Sequence, residues 1–198
     1  MRFLVMLCLL VMTATGVAAG GLGPGPAPEV AALPLEAAPV LPDRFVKRLA
    51  KARARFIEEA AAIILGYGSA QGVDAAGIET FIASTRAGIR ARAMARLLAG
   101  DLDNDGAISG VELAALVGNA AASQRGQLQV AHGTADSDLS GMVSAAELRD
   151  WGQAKALDQM DEDEAQDWRQ FMLFDLDHNG RVMLNEVMMI ADGVRQGG

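Results

Sequence analysis

The sequence is poor in the residues that build disulfides and zinc sites. Its only cysteine is Cys8, and its two histidines, His132 and His178, stand far apart. A chain with one cysteine cannot form an internal disulfide, and this residue set offers no zinc site. The sequence also has no serine–histidine–aspartate pattern and no phosphate-binding glycine loop. We therefore predict that the protein is not an enzyme.

Proline is absent after residue 42, because all six prolines fall within residues 20–42. That composition is typical of a disordered linker. Residues 1–19 before it have the features of a secretory signal peptide: an early arginine, ten consecutive apolar residues and a small-residue end. We expect an exported protein, periplasmic or secreted, with no stable membrane insertion once the signal is cleaved. The alternative is a membrane anchor formed by the uncleaved N-terminal segment.

Positive charge is scarce and unevenly placed. The chain carries 25 acidic and 17 basic residues, a net charge of −8, which argues against nucleic acid as a partner. Residues 43–99 contain ten basic and five acidic residues, whereas residues 100–198 contain six and eighteen. We expect these two parts to attract each other. The basic stretch 44–55 has three interpretations: a solvated helix face, a partner-binding surface, or a contact with the acidic part.

Helical periodicity is the main structural signal in the rest of the chain. Alanine and leucine are abundant and aromatic residues are few, which favours helices over strands. Apolar residues recur at helical spacing in residues 43–65 and 78–99. Beyond residue 100, polar glycine-containing loops alternate with helical segments. We therefore expect an ordered helical domain over residues 43–195.

A repeat of 35 to 39 residues organises this domain. Polar loops begin at Asp101, Asp136 and Asp175, a spacing typical of one helix–loop–helix unit per period. Counting back 35 residues from Asp101 gives residues 66–77, which keep an apolar residue, Val73, at the eighth loop position but have no acidic residue before Asp74. The alternative for this segment is a plain helix–loop–helix connection. The sequence thus predicts four units, the first of which is degenerate and is not expected to bind metal.

The three intact loops have the composition of calcium sites. Calcium takes six to eight oxygen ligands, which a 12-residue loop supplies from positions 1, 3, 5, 7, 9 and 12, with glycine at position 6. In the first loop, 101–112, the predicted ligands are Asp101, Asp103, Asp105, Ala107 (carbonyl), Ser109 and Glu112. In the second, 136–147, they are Asp136, Asp138, Ser140, Met142 (carbonyl), Ser144 and Glu147. In the third, 175–186, they are Asp175, Asp177, Asn179, Arg181 (carbonyl) and Glu186.

Glutamate at position 12 of every loop favours calcium over magnesium, because it supplies a bidentate carboxylate. The first loop has four acidic ligands and the others have three each. We therefore predict that loop 101–112 binds Ca²⁺ most tightly.

These loops resemble those of the EF-hand family, with a calmodulin-like layout of four units across most of residues 43–195. The resemblance implies an all-α fold in which the units form two pairs, joined by short β-bridges at position 8. It would pair Val73 with Ile108, and Val143 with Val182. Residues 43–120, with loops 66–77 and 101–112, would then form the first pair. Residues 121–195, with loops 136–147 and 175–186, would form the second.

The expected function is calcium binding by an exported protein that acts as a calcium buffer or is stabilised by calcium. The alternative is a calcium sensor whose methionine-rich C-terminal pair binds a partner protein or a helical peptide on calcium loading. The same methionines are also consistent with ordinary core filling.

Overall fold

The computed structural model describes residues 41–196, with side chains as far as residue 193. This range contains seven α-helices, one 3-10 helix and no strand, which confirms the all-α prediction. The predicted signal peptide, and the predicted linker as far as residue 40, lie outside it. The helices are α1 (Asp43–Tyr67), α2 (Ala75–Leu98), α3 (Gly110–Gly118), α4 (Ala122–Ala135), α5 (Ala145–Gln159), α6 (Glu162–Arg169), the 3-10 helix (Gln170–Phe174) and α7 (Leu184–Gln196).

No helix within residues 41–196 has both the length and the apolar character that crossing a membrane requires.

The first helix, α1, is bent at Ala52, where φ of −153° and ψ of 58° leave the helical region. The Ala52 side chain is exposed. Phe45 before the bend and Phe56 after it are both buried in the same core. The bend therefore interrupts the helix without turning either half away from the core.

The larger of two hydrophobic cores is built on an aromatic cluster. Phe45 packs edge-on against Phe174, with ring centroids 5.5 Å apart, and against Trp168 at 6.2 Å. The Arg48 guanidinium lies 5.3 Å from the centre of the Trp168 ring, a favourable cation–π distance. This core brings together α1, α2 as far as Ile89, the end of α5, and the chain from α6 to α7.

A smaller core lies under the two central loops. It consists of aliphatic residues from the end of α2, from the two central loops, from α4 and from α5, together with one indole ring. Its buried members are Leu97, Ile108, Leu128, Ala131, Ala135, Val143, Leu148 and Trp151.

Two isolated backbone bridges join the four loops in a nested order. The amides and carbonyls of Val73 and Val182 exchange hydrogen bonds of 3.0 and 2.8 Å, and those of Ile108 and Val143 exchange bonds of 2.8 and 2.9 Å. The expected pairing of Val73 with Ile108, and of Val143 with Val182, is therefore wrong. The outer loops pair with each other, and so do the inner loops.

The physical reason for this order is the length of α2. It has 24 residues, so it is about 36 Å long. The degenerate loop precedes it and loop 101–112 follows it, so one rigid helix holds the two loops apart. By contrast, α3 and α4 are separated by residues 119–121, where the chain reverses and brings the second and third units together.

Ion pairs connect the basic and acidic parts of the sequence, as expected from the charge distribution. Arg44 on α1 pairs with Glu164 at 2.6 Å and with Asp167 at 2.5 Å, and Arg53 pairs with Asp192 at 2.5 Å. For Arg44 and Arg53, the structure thus favours contact with the acidic part. Arg169 similarly donates to Glu79 at 2.6 Å, and this hydrogen bond lowers the pKa of Glu79.

Nested pairing is testable by crosslinking. In a hydrogen-bonded bridge the Cα atoms lie about 5.5 Å apart, within the range a disulfide spans. In a Cys8→Ser background, the double variant Val73→Cys/Val182→Cys should form an intramolecular disulfide on mild oxidation, seen by peptide mass mapping without reductant. The matched variant Val73→Cys/Ile108→Cys should stay reduced. A crosslink in the second variant and none in the first would contradict the nested order.

The aromatic cluster should dominate the stability of the larger core. Phe174 is fully buried, whereas its neighbour Leu173 is 41% exposed. We expect Phe174→Ala to lower the free energy of unfolding by about 3–5 kcal/mol, because it leaves a cavity among the aromatic rings. Leu173→Ala should cost less than about 1 kcal/mol. Urea unfolding followed by circular dichroism measures both, and equal losses would show that the cluster is not a critical part of the core.

Candidate metal centres

The three intact loops have the same unusual backbone shape. Position 4 is left-handed in each, with φ of 62° at Asn104, 58° at Leu139 and 56° at His178. Position 6 is a glycine in each loop and is also left-handed, with φ of 81° at Gly106, 83° at Gly141 and 80° at Gly180. Two left-handed residues per loop curl the backbone, and glycine adopts such a conformation without the steric cost of a Cβ atom.

The aspartate at position 1 closes each loop from one side. Its Oδ2 atom accepts a hydrogen bond from the backbone N–H of the position 6 glycine. The distances are 3.1 Å from Gly106 to Asp101, 2.9 Å from Gly141 to Asp136 and 2.8 Å from Gly180 to Asp175. This contact holds the carboxylate towards the inside of the curl.

The glutamate at position 12 closes each loop from the other side. Its Oε1 atom accepts from the N–H of position 2, at 2.9 Å for Glu112 and 2.8 Å for both Glu147 and Glu186. Its Oε2 atom accepts from the N–H of position 9, at 2.8, 2.9 and 2.7 Å in the same order. The following helix thus begins with a carboxylate fixed beside the loop.

In the first two loops these hydrogen bonds keep the glutamate ionised. The backbone N–H of Ser109, followed by that of Leu102, lowers the pKa of Glu112 to about 2. The N–H and hydroxyl of Ser144 do the same for Glu147, whose pKa is also about 2. At neutral pH both side chains carry the full negative charge that binding a cation needs.

Each loop brings three carboxylates together, with one oxygen of each within 4.8 Å of the others. The members differ between loops: Glu147 and Glu186 belong to their clusters, whereas Glu112 does not belong to the cluster of the first loop. The three clusters are Asp101, Asp103 and Asp105; Asp136, Asp138 and Glu147; and Asp175, Asp177 and Glu186.

One carboxylate oxygen in the first loop is buried without a partner. Asp101 Oδ1 accepts no hydrogen bond from any residue among 41–193. An ionised oxygen removed from water without a partner is costly, so this atom needs a ligand that the chain itself does not supply.

The serines at position 9 of the first and second loops cap the helices that follow, α3 and α5. The Ser109 hydroxyl donates to Glu112 Oε2 at 2.8 Å and accepts from the Glu112 N–H at 3.3 Å, and Ser144 makes the same pair of bonds with Glu147. In the second loop, the Ser140 hydroxyl donates to the carbonyl of Met142 at 3.1 Å. The carbonyls of Ala107, Met142 and Arg181 and the amide oxygen of Asn179 remain predicted ligands.

Loop 66–77 has a different interior. Asp74 caps α2 by accepting from the Gly77 N–H at 2.9 Å, just as serine does at position 9 elsewhere. A Cβ atom on Gly68 would lie 2.5 Å from the carbonyl oxygen of Gly72, so the turn is closed tightly on itself. The loop therefore keeps the helix cap of the repeat, but backbone atoms pack closely within its turn.

Two contacts of the loops were not predicted from the sequence. The Arg181 side chain, at position 7 of the third loop, reaches Asp74 of the degenerate loop at 3.3 Å. The buried His132 donates from Nε2 to the carbonyl of Ile108 at 3.1 Å, beneath the inner bridge. Both contacts depend on which loops pair, and no local sequence pattern specifies that.

Comparison with protein families, curated proteins and solved structures found no match to this chain. The loops themselves are therefore the basis for a functional proposal.

Left-handed glycine at position 6 should be required for loop closure. Gly141→Ala meets no atom within 4 Å but places a Cβ at φ of 83°, so we expect a loss of about 1–2 kcal/mol in unfolding free energy. Gly126→Ala, in the middle of α4 and equally unobstructed, should instead stabilise by about 0.5–1 kcal/mol. Urea unfolding in the presence of a chelator compares them. Stabilisation by Gly141→Ala would contradict the loop geometry.

Proposed function

We propose that this chain is a calcium-binding protein of the EF-hand type, with one Ca²⁺ site in each of the loops 101–112, 136–147 and 175–186. The observation that carries the proposal is the buried, unpartnered Oδ1 of Asp101, which lies in a loop where three carboxylates converge. Carboxylates that approach within 4.8 Å repel one another unless a cation lies between them. A divalent cation compensates both the repulsion and the orphaned oxygen.

The donor set favours calcium among the common divalent metals. All proposed ligands are oxygen atoms. No histidine or cysteine is among them, which disfavours zinc. Side-chain and carbonyl oxygens from six positions of each of the first two loops, and from five of the third, suit the high coordination number of calcium better than the octahedral geometry of magnesium. The carboxylates would provide the charge, and the position 7 carbonyls would complete the ligand set.

The proposed role is to hold calcium outside the cytoplasm, as a buffer or as a protein that calcium stabilises. Export is proposed from the sequence of residues 1–19. A structural role is supported by the position of the loops, since each bridge lies directly over one of the two cores: Val73 and Val182 belong to the larger, and Ile108 and Val143 to the smaller. Calcium bound in a loop would rigidify the bridge and so the core beneath it.

A sensor is the second candidate, because Met142, Met188 and Met189 are 45%, 43% and 54% exposed. Such methionines can accept varied partners, including a helical peptide. Met142 lies in an inner loop, however, whereas Met188 and Met189 lie on α7 of the outer pair. Because they belong to different bridged pairs, they give less support to a single methionine-rich groove than the sequence suggested.

Calorimetric titration of the full chain with calcium tests the proposal. We expect three sites, and each of Glu112→Gln, Glu147→Gln and Glu186→Gln should weaken one site by at least about tenfold, because it removes a charged ligand. Glu112→Gln should remove the tightest phase, since its loop has the most carboxylates.

Glu79→Gln is the matched control, because Glu79 pairs with Arg169 away from the loops and its loss should leave all three sites intact. Absence of calcium binding to the wild-type chain would overturn the proposal. Loss of the tightest phase in Glu186→Gln would overturn only the ranking of the sites.

A further inference from the structure

A groove of about 460 Å³ runs between α2, α4 and α5, away from the loop interiors. Its apolar part includes Ile89 of α2, Ala131 of α4 and Trp151 of α5, all of which are buried. Val130 of α4, 69% exposed, extends the apolar surface to solvent. The groove therefore offers a small apolar wall, mostly the side chain of Val130, against which an apolar molecule could pack.

The charged residues of this groove are all positive. Arg92 and Arg96 line it from α2 and Lys155 lines it from α5, with no carboxylate among the lining residues. Such a lining stands out in a chain whose net charge is −8. Three cations and no carboxylate give the groove a positive potential.

The positions of Arg92 and Arg96 are electrostatically unfavourable. They are four residues apart on one face of α2, where like charges repel by a few tenths of a kcal/mol. Neither makes a salt bridge within residues 41–193, whereas six other arginines in that range do. Lys155 has only an exposed contact with Asp158 at 3.8 Å. An anion from outside the chain would relieve this repulsion.

A second, independent observation concerns Trp151. Its side chain lines the groove and is only 8% exposed, yet its Nε1 finds no acceptor among residues 41–193. A buried indole N–H usually has a hydrogen-bond partner. The groove is thus lined by three cations and by an indole ring whose N–H has no acceptor among residues 41–193.

We propose that this groove binds one small amphiphile with an apolar chain and a single anionic head group, a carboxylate or a phosphate. Its volume falls within the range of small-molecule sites, about 300–1,000 Å³. The arginines bind the head group, since guanidinium matches both anions bidentately, and the apolar wall covers the chain. No loop carboxylate takes part, so the proposal does not depend on calcium binding.

The test is calorimetric titration of the full chain with dodecanoate and with dodecyl phosphate, each below its micelle concentration and in the presence of a chelator. We expect one molecule bound per chain with either head group, and the tighter of the two identifies the preferred anion. A cationic amphiphile of the same length, dodecyltrimethylammonium, should bind at least about tenfold more weakly.

Variants separate the groove from general adsorption. Arg92→Gln/Arg96→Gln should weaken binding of the anionic probes by at least about tenfold, because it removes both head-group contacts. Arg149→Gln, an exposed arginine of α5 outside the groove, is the matched control and should bind like the wild type. Circular dichroism checks that all variants are folded.

Equal binding of the cationic and anionic probes, or unchanged affinity in the double variant, would overturn the proposal. So would binding of an acidic helical peptide in this groove with no binding of either amphiphile. Because the titration runs in chelator, a failure to bind calcium would leave its result unaffected, and a failure here would leave the calcium proposal standing.

Discussion

The uninterrupted helix α2 is the constraint on which the rest of the structure depends. With 24 residues and no break, it serves both as the helix after the degenerate loop and as the helix before loop 101–112. A rod about 36 Å long keeps these loops at opposite ends, so each has to find its bridge partner elsewhere in the chain. The nested order of bridges, and the division of the apolar residues into two cores, follow from that single helix.

The nested pairing also explains why the degenerate loop keeps its bridge and its helix cap although it lacks metal ligands. Loop 175–186 needs an antiparallel partner for Val182, and the only loop left at that end of α2 is the degenerate one. Val73 supplies the bridge, Asp74 caps α2 and pairs with Arg181, and Gly72, with φ of 98°, allows the tight turn. A metal site is not needed for any of these tasks. Loss of the ligands is therefore compatible with retention of the fold.

Features set by local sequence could be predicted, and features set by distant contacts could not. The helices and the loop bounds follow from apolar periodicity, left-handed glycine and carboxylate spacing, all of which act within about twelve residues. The loop pairing was predicted wrongly, because whether α2 continues or breaks decides which position 8 residues meet. The bend at Ala52 could not be predicted, because α1 has no proline or glycine near that residue. The groove between α2, α4 and α5 could not be predicted either, because it forms only when those helices pack together.

Charge is used in two different ways in this molecule: as ion pairs between distant helices, and as carboxylates that converge within the loops. Arg44, Arg53 and Arg169 meet carboxylates of distant helices at the surface, where ion pairs add little stability singly but fix which elements lie together. In the loops, carboxylates converge on one another instead. Backbone N–H groups hold the position 12 glutamates beside the loops and keep Glu112 and Glu147 ionised. Folding energy from the surrounding helices maintains that like-charge arrangement. A cation bound in each loop would reduce the repulsion between the carboxylates and so raise the free energy of unfolding. Calcium binding and stability are linked in this way in the function we propose.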